Sequence, residues 1–260
     1  MTGTPVIGDF ARWIPVRPRA TDADALPLFC LPHAGGGASA FRSWQDAVPG
    51  MAVLPLQPPG REGRLREAPY EDMDSLAEVL ATVVSTEAAG RPYAIYGHSL
   101  GALVAFETVR TLRRRGRPQP VHLFVSGCSA PPSAPDGGPP VAGMAAPEVV
   151  GMLRRLGGTP EWLLADPGAL EMILPPFRAD FRVKEGYEYR PEPPLTLPIT
   201  VLASTDDPRA PVELQELWGG ETVGPVRHHT LTGGHFAVYE QGALTRSLVS
   251  EALAPWAAHR

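Results

Sequence analysis

A pentapeptide of the form G-x-S-x-G, Gly97-His98-Ser99-Leu100-Gly101, constrains the fold of this chain more than any other segment. The apolar, β-prone residues 93–96 precede it, and an apolar segment with helical spacing follows it at 102–112. Glycines on both sides of the serine permit a sharp turn from a strand into a helix, which places the hydroxyl at the carboxyl edge of a sheet. The pattern therefore predicts a nucleophilic Ser99 at a strand–helix junction.

The bulk properties predict a soluble globular protein. The 260 residues suit one large α/β domain, and the net charge of −5 gives no reason to expect nucleic acid as a partner. No apolar stretch approaches the roughly 18 residues of a membrane span, and residues 1–9 lack the pattern of a secretory signal. Cys30 and Cys128 lie in apolar runs and are interpreted as free thiols. We expect a cytoplasmic protein that does not associate with membranes, and a monomer.

Strand-like runs alternate with helical patterns along most of the chain. The runs lie at 12–16, 26–31, 51–57, 93–97, 121–126, 199–203 and 226–231. Apolar residues between 73 and 84 recur with helical spacing, and Asp72 or Asp74 is a candidate cap. Continuous apolar strands of this kind predict a mostly parallel sheet with helices on both faces, in which ligands bind beyond the carboxyl ends of the strands.

The alternation breaks between about Pro131 and Pro194. A segment rich in proline and glycine is followed by helical patterns at 147–156 and 170–187. A connection of this length is far longer than an ordinary loop. We therefore predict a single domain over 1–260 with a helical lid inserted at about 131–194.

A serine nucleophile needs a histidine base and a carboxylate that orients the histidine. After this type of turn, the carboxylate and then the histidine follow the serine along the chain. His235 follows the last strand-like run, where a loop can bring it over Ser99. Asp206 and Asp207 both follow the run at 199–203. We predict Asp207, since this turn usually reads small-x-x-Asp, and keep Asp206 as the alternative.

Backbone N–H groups must also stabilise the oxyanion of the tetrahedral intermediate. The N–H of Leu100 follows the nucleophile directly and lies at the amino end of a predicted helix. A second donor is expected in the loop Pro32-His33-Ala34-Gly35-Gly36-Gly37, and we predict Ala34. A glycine-rich turn without a catalytic role is the alternative. Together these residues predict a hydrolase that acts by acyl transfer.

The chain resembles the stand-alone type II thioesterases that accompany polyketide synthases and nonribosomal peptide synthetases. The resemblance extends over almost the whole length. Its motifs are Pro32-His33-Ala34-Gly35-Gly36, Gln57-Pro58-Pro59-Gly60-Arg61-Glu62, Tyr96-Gly97-His98-Ser99-Leu100-Gly101-Ala102, Arg178-Ala179-Asp180, Asp207-Pro208 and Gly234-His235-Phe236. It implies an α/β-hydrolase fold with a helical lid. It also implies a triad of Ser99, Asp207 and His235, with Ala34 and Leu100 as oxyanion donors.

The resemblance further implies hydrolysis of acyl thioesters on the phosphopantetheine arm of acyl or peptidyl carrier protein domains, which clears short acyl groups that stall a synthase. The implied enzyme needs no cofactor, because phosphopantetheine belongs to the substrate. No His/Cys/Asp cluster has the spacing of metal ligands. A chain-releasing thioesterase, an oxygen-ester esterase and a non-catalytic binding module are the alternatives.

Two groups of lid residues are candidates for substrate and partner contacts. Apolar residues either line the approach to Ser99 or pack the lid against the core: Trp162, Leu163, Leu164, Met172, Ile173, Leu174, Phe177 and Phe181. Cationic residues either contact an acidic carrier protein or form a solvated helix face: Arg154, Arg155, Arg178, Arg182 and Lys184.

Overall fold

The computed structural model describes residues 7–18, 25–131, 133 and 140–257 of the chain. Within these ranges, six strands form one sheet in the order β2-β1-β3-β4-β5-β6, and each neighbouring pair is parallel. The strands are β1 (Leu26–Leu31), β2 (Met51–Pro55), β3 (Ala94–His98), β4 (His122–Ser126), β5 (Ile199–Ser204) and β6 (Val226–Leu231). The predicted parallel sheet is confirmed.

Helices follow most of the strands. They are α1 (Met73–Ala88), α2 (Leu100–Arg114), α3 (Ala146–Leu156), α4 (Glu161–Leu164), α5 (Pro167–Glu185), α6 (Val212–Glu216), α7 (Ala237–Glu240) and α8 (Gly242–Ala257). Of the two candidate caps, Asp72 begins α1, because its carboxylate accepts the Ser75 backbone N–H at 2.8 Å. No helix in the described ranges is both long enough and apolar enough to cross a lipid bilayer.

The four inner strands β1, β3, β4 and β5 are buried on both faces of the sheet, whereas the edge strand β6 is largely exposed. One face packs against α1 and α2, with Val84 and Val109 fully buried there. The other packs against α8 and the 3₁₀ helix Ala38–Trp44, with Val249 and Trp44 fully buried. Burial on both faces explains why the inner strands read as continuous apolar runs instead of alternating ones.

The strand predicted at 12–16 is wrong. The chain instead forms a 3₁₀ helix over Ile7–Trp13 and continues without regular structure. The apolar character of the run has another cause: Trp13 is buried, with the Arg64 guanidinium 4.6 Å from its ring centroid and the Tyr70 ring 6.1 Å away. Pro15 also lacks the N–H that a strand would use.

Between β4 and β5 lies a helical insertion, which we define as Val141–Gly143, a 3₁₀ helix, together with α3, α4 and α5. Residues 132 and 134–139, at the start of the predicted lid, lie outside the described residues. The insertion has an apolar cluster of its own, which includes Val149, Leu164 and Phe181. It lies over the carboxyl edge of the sheet, where α5 contacts the cavity described below.

Candidate active site

Ser99 occupies a strained turn between β3 and α2. Its backbone φ of 56° and ψ of −124° are rare for a residue with a side chain. A Cβ at Gly97 would lie 2.2 Å from the Gly101 carbonyl oxygen, and one at Gly101 would lie 2.4 Å from the Leu31 carbonyl oxygen. The glycines of the motif therefore permit α2 to approach the strands. The Ser99 N–H donates to the Ser126 carbonyl at 2.8 Å, which anchors the turn to β4.

A continuous chain of hydrogen bonds joins Ser99, His235 and Asp207. His235 Nε2 lies 3.0 Å from Ser99 Oγ, and His235 Nδ1 lies 2.7 Å from Asp207 Oδ2. Both His235 and Asp207 are 5% exposed. A carboxylate accepts at Nδ1, so the neutral ring carries its proton there and offers the Nε2 lone pair to the serine hydroxyl. The arrangement is able to remove the hydroxyl proton as the serine attacks.

The structure brings Asp207, and not Asp206, to the histidine. Asp207 Oδ1 accepts the backbone N–H groups of Arg209 at 2.8 Å and Ala210 at 3.2 Å, which fixes the carboxylate. Asp206 is exposed and pairs with the Thr205 hydroxyl at 2.8 Å. Two adjacent acids in one turn thus have separate environments, one buried and oriented and one solvated.

The two predicted oxyanion donors lie beside Ser99. Ala34 follows β1, Leu100 begins α2, and both line the same cavity as the serine. Within the described part of the chain, neither backbone N–H has a hydrogen-bond partner. An unpaired N–H at the first turn of a helix is a favourable place for negative charge, since the helix dipole adds to it.

Two further histidines lie near the site outside this hydrogen-bonded chain. His98 is fully buried; its Nδ1 lies 2.9 Å from Ser126 Oγ, and its ring centroid is 5.0 Å from that of His235. Burial, with repulsion from His235, lowers the pKa of His98 well below its ordinary value and that of His33 to about 3. Both rings are therefore neutral at neutral pH, and His235 is the histidine that hydrogen-bonds Ser99 Oγ.

A cavity of about 210 Å³ opens above Ser99, between the sheet edge and the helical insertion. Five of the eight apolar lid candidates line it: Leu163, Ile173, Leu174, Phe177 and Phe181. The others do not, because Leu164 is buried in the insertion's own cluster, and Trp162 and Met172 are 72% and 50% exposed. The side chains of Asp180, Lys184 and Arg209 add charge to a mostly apolar wall.

A family model described as a thioesterase domain matches residues 26–251. The chain belongs to the thioesterase family. The gramicidin S biosynthesis protein GrsT of Aneurinibacillus migulanus is 36% identical over 90% of this chain and 91% of its own length. Thioesterase PikA5 of Streptomyces venezuelae is 40% identical over 93% of this chain and 85% of its own length.

The fold comparison gives the same family. The solved structure of the type II thioesterase BorB from the borrelidin biosynthetic cluster superposes with a TM-score of 0.83 at 37% identity, covering 92% of this chain and 96% of that one. The predicted resemblance to type II thioesterases of polyketide and nonribosomal peptide pathways is confirmed, as is the α/β-hydrolase fold. The chain is a thioester hydrolase.

Two residues that lie beside this site were assigned no role from the sequence. Arg61 and Asp180 belong to motifs that carried the resemblance, yet nothing in either motif predicted a pair. In the structure they form a buried ion pair against the loop that holds Ala34. The available signal was the presence of an arginine in one of these motifs and an aspartate in another.

Proposed function

We propose that this thioesterase hydrolyses acyl thioesters held on the phosphopantetheine arm of acyl or peptidyl carrier protein domains, and so removes short acyl groups that stall a synthase. The observation that carries the proposal is the continuous hydrogen-bonded chain from Asp207 through His235 to Ser99, at the floor of a cavity.

Acylation begins when Ser99 Oγ attacks the thioester carbonyl carbon and its proton passes to His235 Nε2. The Asp207 carboxylate stabilises the resulting imidazolium, and the N–H groups of Ala34 and Leu100 stabilise the oxyanion. Collapse of the tetrahedral intermediate breaks the C–S bond, and the departing thiolate takes the proton from His235. The product of this half-reaction is an acyl ester on Ser99.

Deacylation repeats these steps with water as the nucleophile. Water attacks the acyl-Ser99 ester and gives a proton to His235, which returns it to Ser99 Oγ as the C–O bond breaks. The free carboxylic acid leaves, and the hydroxyl is regenerated. A thiolate is a better leaving group than an amine, so acylation demands less of His235 as an acid than peptide hydrolysis would.

Carrier-bound substrates are supported by the site and by the relatives. The cavity wall is mostly apolar, which suits an acyl chain, and the helical insertion leaves Ser99 half-buried. Solved relatives include YbtT, a type II thioesterase from the yersiniabactin NRPS/PKS biosynthetic pathway. By that likeness we assign the present enzyme to an assembly line of the same kind.

A panel of acyl groups on one carrier domain from the same biosynthetic cluster tests this function. We expect acetyl, propionyl and butyryl groups to be released faster than the full-length intermediate, and faster than the same acyl groups presented as oxygen esters. A preference for the full-length intermediate would identify a chain-releasing enzyme instead. A preference for the oxygen esters would identify an esterase.

A further inference from the structure

The carboxylate of Asp180 joins the helical insertion to the loop that carries Ala34. Its Oδ2 accepts the Gly35 backbone N–H at 2.7 Å. The Arg61 guanidinium donates to the same carboxylate twice, from Nη1 to Oδ2 at 2.5 Å and from Nη2 to Oδ1 at 2.8 Å. The Arg61 and Asp180 side chains are only 6% and 9% exposed, so solvent and salt screen this pair little.

Arg61 also hydrogen-bonds the same loop directly, at Gly36. Its Nη1 also donates to the Gly36 carbonyl at 3.2 Å, and its Nε donates to the Pro59 carbonyl at 3.2 Å. The Arg61 carbonyl in turn accepts from Gln57 Nε2 at 3.2 Å. A carboxylate on α5 and a guanidinium in the segment after β2 thus clamp two neighbouring residues of the loop between them.

Phe177 adds an apolar contact from the same face of α5. It lies three residues before Asp180, and residues at this spacing share one side of a helix. A Cβ built at Gly35 would lie 3.0 Å from Phe177 Cδ2, so the ring lies directly against the loop backbone. Phe177, Asp180 and Ala34 all line the cavity above Ser99.

This clamp acts on the peptide next to the Ala34 donor. An oxyanion donor has to be held to within about 0.5 Å of its productive position to be effective. We propose that Asp180 is a positioning residue: through the Gly35 N–H it fixes the loop so that the Ala34 N–H points at the oxyanion only while α5 is seated on it. The inference rests on the proposed oxyanion role of Ala34. It makes the insertion a determinant of kcat as well as of access to the cavity.

Substitutions at Asp180 test the clamp with a short acyl thioester of N-acetylcysteamine, which needs no carrier. Asp180→Ala removes the acceptor for Gly35, and we expect kcat to fall about 10²-fold with KM within about twofold. Asp180→Asn keeps the side-chain size and one oxygen to accept the Gly35 N–H but removes the charge that pairs with Arg61. We therefore expect a smaller decrease in kcat, of about 10-fold. Glu171→Gln removes an exposed charge from the same helix and serves as the matched control, with both constants unchanged.

Binding of an alkyl boronic acid to Ser99 supplies a readout that a purely structural role would not move. The tetrahedral adduct uses the oxyanion donors without turnover, so its Kd should rise in Asp180→Ala by about the factor that kcat falls. Unchanged kcat in folded Asp180→Ala, or reduced kcat with an unchanged boronic acid Kd, would overturn the inference. The proposed function would fail in a different way: the wild-type enzyme would bind the boronic acid but would hydrolyse oxygen esters faster than thioesters. The ratios between variants then still test Asp180.

Discussion

The carboxyl edge of the sheet and the helical insertion above it are stabilised in different ways. Every residue of β1, β3, β4 and β5 is buried, and each of these strands is hydrogen-bonded on both sides. The insertion has a small apolar cluster of its own, is joined to the rest of the molecule by the Arg61–Asp180 ion pair, and leaves Trp162 and Met172 largely exposed. The proposed reacting groups belong to the first region, whereas much of the cavity wall belongs to the second. Mutations of the triad should therefore change the chemical step, whereas mutations of the cavity wall away from Asp180 should change substrate fit.

The largest expected effect lies at the sheet edge. Ser99→Ala should lower kcat by at least about 10³-fold, because it removes the nucleophile that forms the acyl intermediate. The variant should keep a thermal unfolding temperature close to that of the wild type, since it loses a half-buried hydroxyl and the hydrogen bond of that hydroxyl to His235. The decrease in kcat is measured by steady-state hydrolysis of a short acyl thioester. Ser247→Ala, on the exposed side of α8, is the control and should leave kcat unchanged. Residual activity near wild type in Ser99→Ala would remove Ser99 from the mechanism.

The next largest effect separates the adjacent acids. Asp207→Asn should lower kcat by about 10³-fold or more, because an amide at this position no longer stabilises the His235 imidazolium. Asp206→Asn should change kcat by less than about twofold, since that side chain is exposed and accepts a hydrogen bond from the neighbouring Thr205 instead of from His235. The two kcat values, measured side by side, decide the assignment. The reverse outcome would make Asp206 the functional acid.

The sequence predicted the sheet edge well because its signals are local. Residues 26–31 form an apolar run long enough for one strand and are buried along the whole of β1. The Gly97–Gly101 motif predicted its own turn, chain order placed a carboxylate and then His235 after it, and the small-x-x-Asp pattern selected Asp207 over Asp206. Among the predicted strands, the run at 12–16 is wrong, because the Trp13 ring packs against Arg64 instead of a neighbouring strand.

The insertion could be predicted as helical but not as a binding surface. Arg61 and Asp180 are 119 residues apart, and no periodicity in the chain records a contact at that separation. Trp162 was a candidate for the cavity wall because it is aromatic, yet it lies in the four-residue helix α4 and faces solvent. A helix that short has no apolar stripe from which to read its buried side.

A third prediction concerns stability within the sheet. His122, in β4, is buried beside Thr200, and burial with repulsion from Arg227 lowers its pKa to about 4. As the pH falls, His122 is protonated in the unfolded chain before it is protonated in the folded protein. Its contribution to the free energy of unfolding should therefore be constant above about pH 6.5 and should become destabilising as the pH falls towards 4. From pH 8 to pH 5 the contribution of His122 is about 2 kcal/mol.

Urea unfolding at both pH values measures this contribution. The variant His122→Gln should lose about 2 kcal/mol less than the wild type over the interval. His33 and His98, whose pKa values are also lowered, are present in both proteins and cancel in the difference. An identical loss in both proteins would show that His122 does not titrate in this range.

A fourth prediction tests the insertion as the region that sets substrate fit. Ile173 lines the cavity and is half-buried, so Ile173→Ala should enlarge the space for the acyl group. We expect the ratio of kcat/KM for hexanoyl over propionyl thioesters to rise about 10-fold. Met172→Ala changes the neighbouring residue, which is 50% exposed and does not line the cavity, and should leave the ratio unchanged. Equal ratios in both variants would assign Ile173 to packing alone.

The cations of the insertion differ in how far they are already engaged. Arg154 pairs with Glu161, and Arg182 pairs with Glu71. The Arg178 Nη2 group donates to the Met144 carbonyl at 2.7 Å. The two ion pairs offset the charges of Arg154 and Arg182, and the hydrogen bond to Met144 uses one donor of Arg178. Arg155, exposed at the end of α3, is the better candidate.

The smallest expected effect therefore lies at Arg155. Arg155→Glu should raise KM for an acyl-carrier protein about threefold. The effect is small because a single exposed ion pair across an interface contributes less than about 1 kcal/mol to the binding free energy. Turnover of the N-acetylcysteamine thioester, which has no carrier, should not change. Arg91→Glu, an exposed cation before the amino end of β3 and so at the opposite edge of the sheet, is the control. The Arg155 effect should shrink as salt is added, since screening weakens an exposed pair. Equal effects on both substrates would place Arg155 in the fold of the insertion and remove it from the docking surface.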